Sequence, residues 1–322
     1  MLARPDSSAV PGPSAASAAA FPAWARAKNP PETAAEAGFL AGAALARLDS
    51  IVRENPPWAG AWRQRLALAA AVASVRRAGR SEDEPALRDA LHLTRSGADP
   101  GPAGRRLRAW RALAAGSVGQ WRSAIVVAAA ALGLPGDEAL QAAIEAAEAC
   151  AEGHRPAPFA AGRAYHLATR ALTADRGRGG AGELLACWLA DAVLAERLNW
   201  PFALPLLAAP LFASAGRRAP TDSDGAETTR ILFAWAKAAA HACDLAAELR
   251  RRAQKLAEAA PKLRAKGAKA ALQALLDQDS LAAATPIAGL SQRGARRLFE
   301  RLAALGAIRE LTGRATFRLY GL

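Results

Sequence analysis

Little in this sequence can build a sheet. β-branched residues are scarce until the C-terminus, and no long Val, Ile or Thr alternation occurs, so the pleated, half-buried surfaces that strands need are hardly encoded. Aromatic residues are also few, at 6%, although apolar residues reach 52% because alanine is abundant. Alanine is the strongest helix former. The expectation is an all-α fold whose helices approach closely through small side chains. Cysteine is sparse too: Cys150, Cys187 and Cys243 stand singly, with no CxxC and no Cys/His spacing that would close a zinc site. They read as buried free thiols in a reducing cytoplasm. A signal peptide is not expected, because Arg4, Pro5 and Asp6 lead into Ala, Ser and Pro, and residues 1–20 read as a disordered tail. One uncharged stretch, 198–216, has the length of a membrane span, but Pro201, Pro205 and Pro210 interrupt it. In lipid those breaks would leave backbone groups unpaired, so the expectation is no membrane and a buried, proline-broken helix pair.

What is present is charge of one sign. The 322 residues carry a formal charge of +13, which favours polyanionic partners if the basic groups cluster. They do: residues 250–322 hold fifteen Lys and Arg against five Asp and Glu. A chain of this length accommodates two or three domains. We expect a helical body over 21–215, a polar linker at 216–227 (GRRAPTDSDGAE), a connecting helix over 228–260 and a C-terminal unit over 261–322.

Within the body, Phe39, Leu40, Ala43, Ala44, Leu48, Ile51 and Val52 recur at helical spacing and mark a packed helix over 34–53. Asn55 is placed to cap a second helix running to about Arg77, with Pro56 and Pro57 in its first turn and with Trp58 and Trp62 filling one groove. Glu82, Asp83 and Glu84 ahead of an apolar run, with Pro85, mark a short helix start. A Gly/Pro loop at 96–104 launches a helix carrying Leu107, Trp110 and Leu113. Further helices are expected at 123–132, 137–152, 160–173, 182–198 and 228–255, with no repeat of fixed period.

The C-terminal stretch is the most informative. Ala271, Leu272, Leu275 and Leu276 give a helix ending near Asp277, and Asp279 or Ser280 is placed to cap a short second helix at 281–284. Thr285, Pro286 and Gly289 make a turn. Ser291 caps a third helix ending at Leu305, with Gly306 in a left-handed position after it. On that helix Ala295, Leu298, Phe299, Leu302 and Leu305 share one arc, while Arg293, Arg297 and Glu300 point away and Arg296 lies at the margin. Two β-prone runs, 308–311 and 316–320, are divided by Gly313 and Arg314, a hairpin signal. This order composes a winged helix-turn-helix, in which the third helix enters the major groove of double-stranded DNA and the hairpin lies along the backbone. The residues expected to meet DNA are Ser291, Gln292, Arg293, Arg296, Arg297, Arg314 and Arg318, with groove-facing arginines able to bond guanine and Arg314 at the wing tip able to meet phosphate.

The strings PPWAGAWRQRLALAAAVAS, GRSEDEPALRDALHL, ADPGPAGRRLRAWRAL and LSQRGARRLFERLAALGAIRELTGRATFRLYGL resemble the bacterial domain of unknown function 1403 family. The resemblance covers nearly the whole chain after the tail. It implies a Gram-negative, mostly alphaproteobacterial source and brings no catalytic or binding residues with it. A helical body followed by a winged helix also looks faintly like Fic-type AMP-transferases, but their HPFxxGNGR loop is absent: His92, His154, His166 and His241 each lack the following Gly-Asn-Gly.

No HExxH, phosphate loop or GxSxG elbow occurs, and no cofactor, metal or catalytic residue is expected. The one candidate pocket cluster is Glu84, Arg88 and His92, which one helix face brings together either as a pocket or as a surface ion-pair set. The reading is a cytoplasmic DNA-binding protein of the winged-helix class, its body serving dimerisation with a second copy or sensing. The alternatives are a protein-interaction module and a degenerate Fic-like or novel enzyme delivered to DNA.

Overall fold

The computed structural model describes residues 21–26, 29–95, 97–173, 179–213, 224–263, 266–314 and 316–322. The expected tail at 1–20 and most of the expected linker at 216–227 lie outside these residues; the last four linker positions form the first turn of a helix. Among the described residues there are twelve α-helices, and no strand precedes Leu281. The all-α expectation holds, with one small sheet at the C-terminus.

The body is built from α1 (Ala34–Glu54), α2 (Ala59–Arg77), α3 (Glu84–His92), α4 (Gly101–Ala115), α5 (Trp121–Ala131), α6 (Glu138–Glu152), α7 (Ala157–Thr173), α8 (Gly179–Arg197) and α9 (Ala208–Ala213). Helix α8 is its axis. Leu184 to Ala190 and Ala192 to Ala195 are completely buried, as befits a helix apolar all round, and α6 and α7 pack along it. The 36-residue α10 (Asp224–Ala259) lies along α1 and leads to the C-terminal unit. Trp58 and Trp62 do share a groove, their rings edge to face with centroids 6.1 Å apart.

Three local expectations for the body are corrected. Asn55 does not cap α2; it ends α1 in the left-handed conformation at φ 42°, which asparagine tolerates better than most residues. Phe39 does not face the core. The buried stripe of α1 runs through Ala37, Ala41, Ala44, Leu48 and Ile51, and Phe39 lies off it, 64% exposed beside the equally exposed ring of Trp24. Among the described residues of 198–216 there is one short helix, α9, and not the expected helix pair. Between α8 and α9 the chain from Trp200 to Leu207 is largely irregular but mostly buried, and several of its backbone groups find tertiary partners. Val118 N–H donates to the Pro201 carbonyl at 3.1 Å. The Asp191 carboxylate accepts from Leu206 N–H at 2.8 Å, Leu207 N–H at 3.1 Å and Trp235 Nε1–H at 3.1 Å.

The C-terminal unit comprises α11 (Ala268–Asp277), β1 (Leu281–Ala282), α12 (Gln292–Ala304), β2 (Arg309–Glu310) and β3 (Leu319–Gly321), the strands forming one antiparallel sheet in the order β1-β3-β2. Leu281 pairs with Tyr320 and Arg309 with Gly321. The short helix expected at 281–284 is not formed. Its residues enter the sheet and then two consecutive turns, closed by Thr285 N–H to the Ala282 carbonyl at 2.9 Å and Leu290 N–H to the Ile287 carbonyl at 3.0 Å. Pro286 disfavours helical backbone at Thr285, and Gly289 adopts φ 78° against Gly267. A Cβ at Gly267 would come within 2.6 Å of the Ala288 carbonyl oxygen, so this glycine lets the turns lie on the start of α11.

Candidate nucleic-acid interface

Helix α12 is positioned as its sequence dictates. Ser291 caps it, its hydroxyl accepting from Gly294 N–H at 3.1 Å, and Gly306 ends it at φ 67°. Ala295, Leu298, Phe299 and Leu302 are buried, and Phe299 packs on Tyr320 of β3 with centroids 5.4 Å apart. Leu305, expected in the buried arc, is the C-cap and is exposed. Gln292, Arg293, Arg296, Arg297 and Arg301 lie exposed on the other side. Arg296 is tied to Glu300 at 3.1 Å. Arg293 and Arg297 have no ion-pair partner among the described residues.

Beside the first turns of α12 runs a groove of about 550 Å³, lined by Ala282, Ala283, Ala284, Gln292, Arg293, Arg296, Thr316, Phe317, Arg318 and Tyr320. It joins the helix to the β2–β3 hairpin. Thus four residues of the expected DNA-contacting set, Gln292, Arg293, Arg296 and Arg318, share one concave surface. Ser291 serves as the helix cap, and Arg297 lies on the exposed outer face of α12. Arg318 Nε–H donates to the Arg314 carbonyl at 3.0 Å and its Nε lies 3.9 Å from Glu310 Oε2; the neighbouring Tyr320 side chain and then the Glu310 charge hold its pKa above the ordinary arginine value.

Arg314 is placed differently from a free wing tip. Its guanidinium pairs with Asp89 on α3, so the hairpin is fastened to the body. The same helix supplies the cluster singled out in the sequence. Arg88 is buried, its Nε–H donating to Asp279 Oδ2 at 2.9 Å, with Glu84 at 3.3 Å on its other side. Arg111 of α4 reaches the other oxygen of Asp279, whose side chain is fully buried. His92 Nε2 lies 3.0 Å from Ser280 Oγ. Burial, and then the charge of Arg111, lowers the His92 pKa from its ordinary value. Arg88 and His92 are therefore spent on docking the α11–β1 corner, and Glu84 borders an open groove with Arg76, Asp83 and Phe212.

The seam continues on both sides of this corner. A Cβ on Gly60 of α2 would come within 2.6 Å of the Asp277 Cα, so α2 and the end of α11 touch backbone to backbone. Arg65 bonds the Leu322 carbonyl oxygen, and burial drops its pKa to about 10. Arg309 on β2 reaches Glu248 of α10 at 3.2 Å. One hydrophobic cluster runs from Phe21 of the body to Leu322.

With this geometry the chain can be compared with known proteins. The family model described as "Protein of unknown function (DUF1403)" matches residues 13–322. The chain belongs to that family. None of the curated proteins matches it. In this DUF1403 chain, sequence reasoning had not found three polar centres: Asp191 with its N–H donors, the Asp279 corner, and His166, whose Nδ1 lies 2.7 Å from Glu227 in a small cleft with Arg155 and Arg163. Each joins residues far apart in the chain, so no local spacing announces it. Among the described residues no group of three His, Cys, Asp or Glu could hold a metal ion, and no helix is long and apolar enough to cross a membrane. All three cysteines are free and buried.

Proposed function

We propose that the C-terminal unit is a winged helix that holds double-stranded DNA, with α12 toward the major groove and the β2–β3 hairpin beside it. The observation that carries this reading is the outward face of α12, where Arg293 and Arg297 stand one turn apart, exposed and without acidic partners among the described residues. Arginines left unpaired on a surface helix are available to phosphate oxygens or to guanine O6 and N7. The strand order β1-β3-β2, with α11 before β1 and α12 before β2, is the connectivity that such a unit uses. The missing second helix leaves the turn at 283–290 to set the angle of α12, and Gly267 and Gly289 fix that turn. The protein is read as intracellular on this account.

The test is fluorescence anisotropy with random-sequence duplexes at several salt concentrations. Salt-sensitive binding that weakens when Arg293 and Arg297 are both replaced by alanine supports the reading. No binding to any duplex at low ionic strength sinks it. A protein-contact role is favoured by a separate observation, the exposed rings of Trp24 and Phe39, whose centroids lie 6.2 Å apart. A second copy of the chain is the partner that sedimentation velocity would detect, and F39A would then lower the observed mass.

A further inference from the structure

The groove between α12 and the hairpin has a composition that a regular duplex does not use. Its rim is basic, with Arg293, Arg296 and Arg318, but most of its lining is apolar: three consecutive alanines, Phe317 and the ring of Tyr320. A duplex backbone presents phosphates and sugars to such a groove, and its bases stay stacked on one another. A planar ring carrying a phosphate would satisfy both the floor and the rim. The volume of about 550 Å³ lies in the range of small-ligand sites.

Phe317 is unusual in its backbone as well. It sits at φ 56°, a conformation that is costly for a bulky side chain and persists where surrounding structure and function hold it. Glycine would occupy that position more easily. Yet the chain places an aromatic ring there, half-buried, at the wall of the groove. Aromatic side chains beside cationic ones are the means by which single-stranded nucleic acid is held, bases stacking on the rings and phosphates meeting the cations.

We propose that this groove takes one unpaired nucleotide of a DNA strand, its base against Phe317 and the Ala282 to Ala284 segment and its phosphate on Arg293, which has no acidic partner among the described residues. The proposal rests on the reading of α12 as a DNA-facing helix and narrows it: the preferred partner is duplex DNA interrupted by an extrahelical base, rather than uniform duplex. Recognition is by shape and stacking, so any of the four bases is accepted.

The experiment measures binding of the full chain to three labelled DNAs: a plain duplex, the same duplex with a single bulged nucleotide, and the same duplex with an abasic bulge that keeps the phosphate and lacks the base. The expected result is about tenfold tighter binding to the bulged duplex, lost with the abasic bulge. Phe317→Gly removes the ring at a backbone conformation glycine prefers, so it should abolish the ratio of bulged-duplex to plain-duplex affinity while leaving helical content unchanged. Phe317→Trp should retain the preference. Equal binding of all three DNAs by the wild-type chain overturns the proposal but leaves the duplex reading standing. Binding to none of them at low ionic strength removes both. Competition by a free deoxynucleoside monophosphate as effective as that by the bulged DNA overturns the strand as the source.

Discussion

Two buried carboxylates show how single residues hold this fold. Asp191 sits 1% exposed on the central helix α8 and receives N–H groups from Leu206, Leu207 and Trp235. Burial pushes its pKa up from 3.8 to about 7, against the pull of those donors. Below the ordinary value both folded and unfolded chains carry the proton. Between 3.8 and about 7 only the folded chain does, so each pH unit removes about 1.4 kcal/mol of stability, and above that range the loss levels off. The prediction is that the difference in urea-unfolding free energy between wild type and Asp191→Asn falls between pH 5 and pH 8; a flat difference would show that the carboxylate is ionised throughout. Asp279 is the opposite case, a fully buried carboxylate between Arg88 and Arg111. Asp279→Ala leaves two desolvated guanidiniums uncompensated and should cost about 3–5 kcal/mol in the same unfolding measurement. A cost below about 1 kcal/mol, the range of an exposed pair, would mean that water replaces the carboxylate.

At the scale of elements, packing against neighbours decides the effect of otherwise equivalent glycines. Gly42 lies in α1 with nothing within 4 Å of where a Cβ would be, whereas Gly60 in α2 faces the backbone of Asp277 at 2.6 Å. Gly42→Ala should stabilise by about 0.5–1 kcal/mol through helix propensity. Gly60→Ala gains the same propensity but drives α2 into the end of α11, and overpacking against backbone costs about 1–3 kcal/mol, so its net effect should be destabilising. Thermal melts of the two variants should move in opposite directions, and a rise in Tm for both would show that α11 gives way freely. The same distinction separates what was legible in the sequence. The Ser291 cap, the apolar arc of α12 through Leu302, the acidic start of α3 at 82–84, where Asp83 accepts from Ala86 N–H at 3.0 Å, and Gly306 were readable because each involves residues within one or two turns. The partners of Asp279 were not, because Arg88 and Arg111 lie 191 and 168 residues away. Phe39 misled because the alanine stripe of α1, not its largest side chain, sets the buried face. The absent helix at 281–284 was hidden by pairing with β3, which follows almost forty residues later.

On the scale of the whole molecule, the basic excess at the C-terminus is divided between a seam and a surface. Arg309 and Arg314 are drawn to Glu248 of α10 and Asp89 of α3, whereas Arg293 and Arg297 remain on the outer face. This division changes what the arginines contribute to DNA affinity. The log–log dependence of binding on salt counts the cations that replace counterions on phosphates. An arginine already neutralised by a carboxylate on the same molecule adds little, since meeting a phosphate would first release its partner. Arg297→Ala should therefore make the salt dependence shallower by about one unit, less if its contact is to a base alone. Arg314→Ala should leave it almost unchanged. Asp89→Asn should free Arg314 and steepen the dependence by up to about one unit. Exposed pairs of this kind are worth about 0–1 kcal/mol, so the fold should survive that change and circular dichroism should be unaltered. A loss of slope in Arg314→Ala equal to that in Arg297→Ala would show that the hairpin leaves Asp89 on binding DNA, and the fixed attachment of the wing to α3 would then be wrong for the bound state.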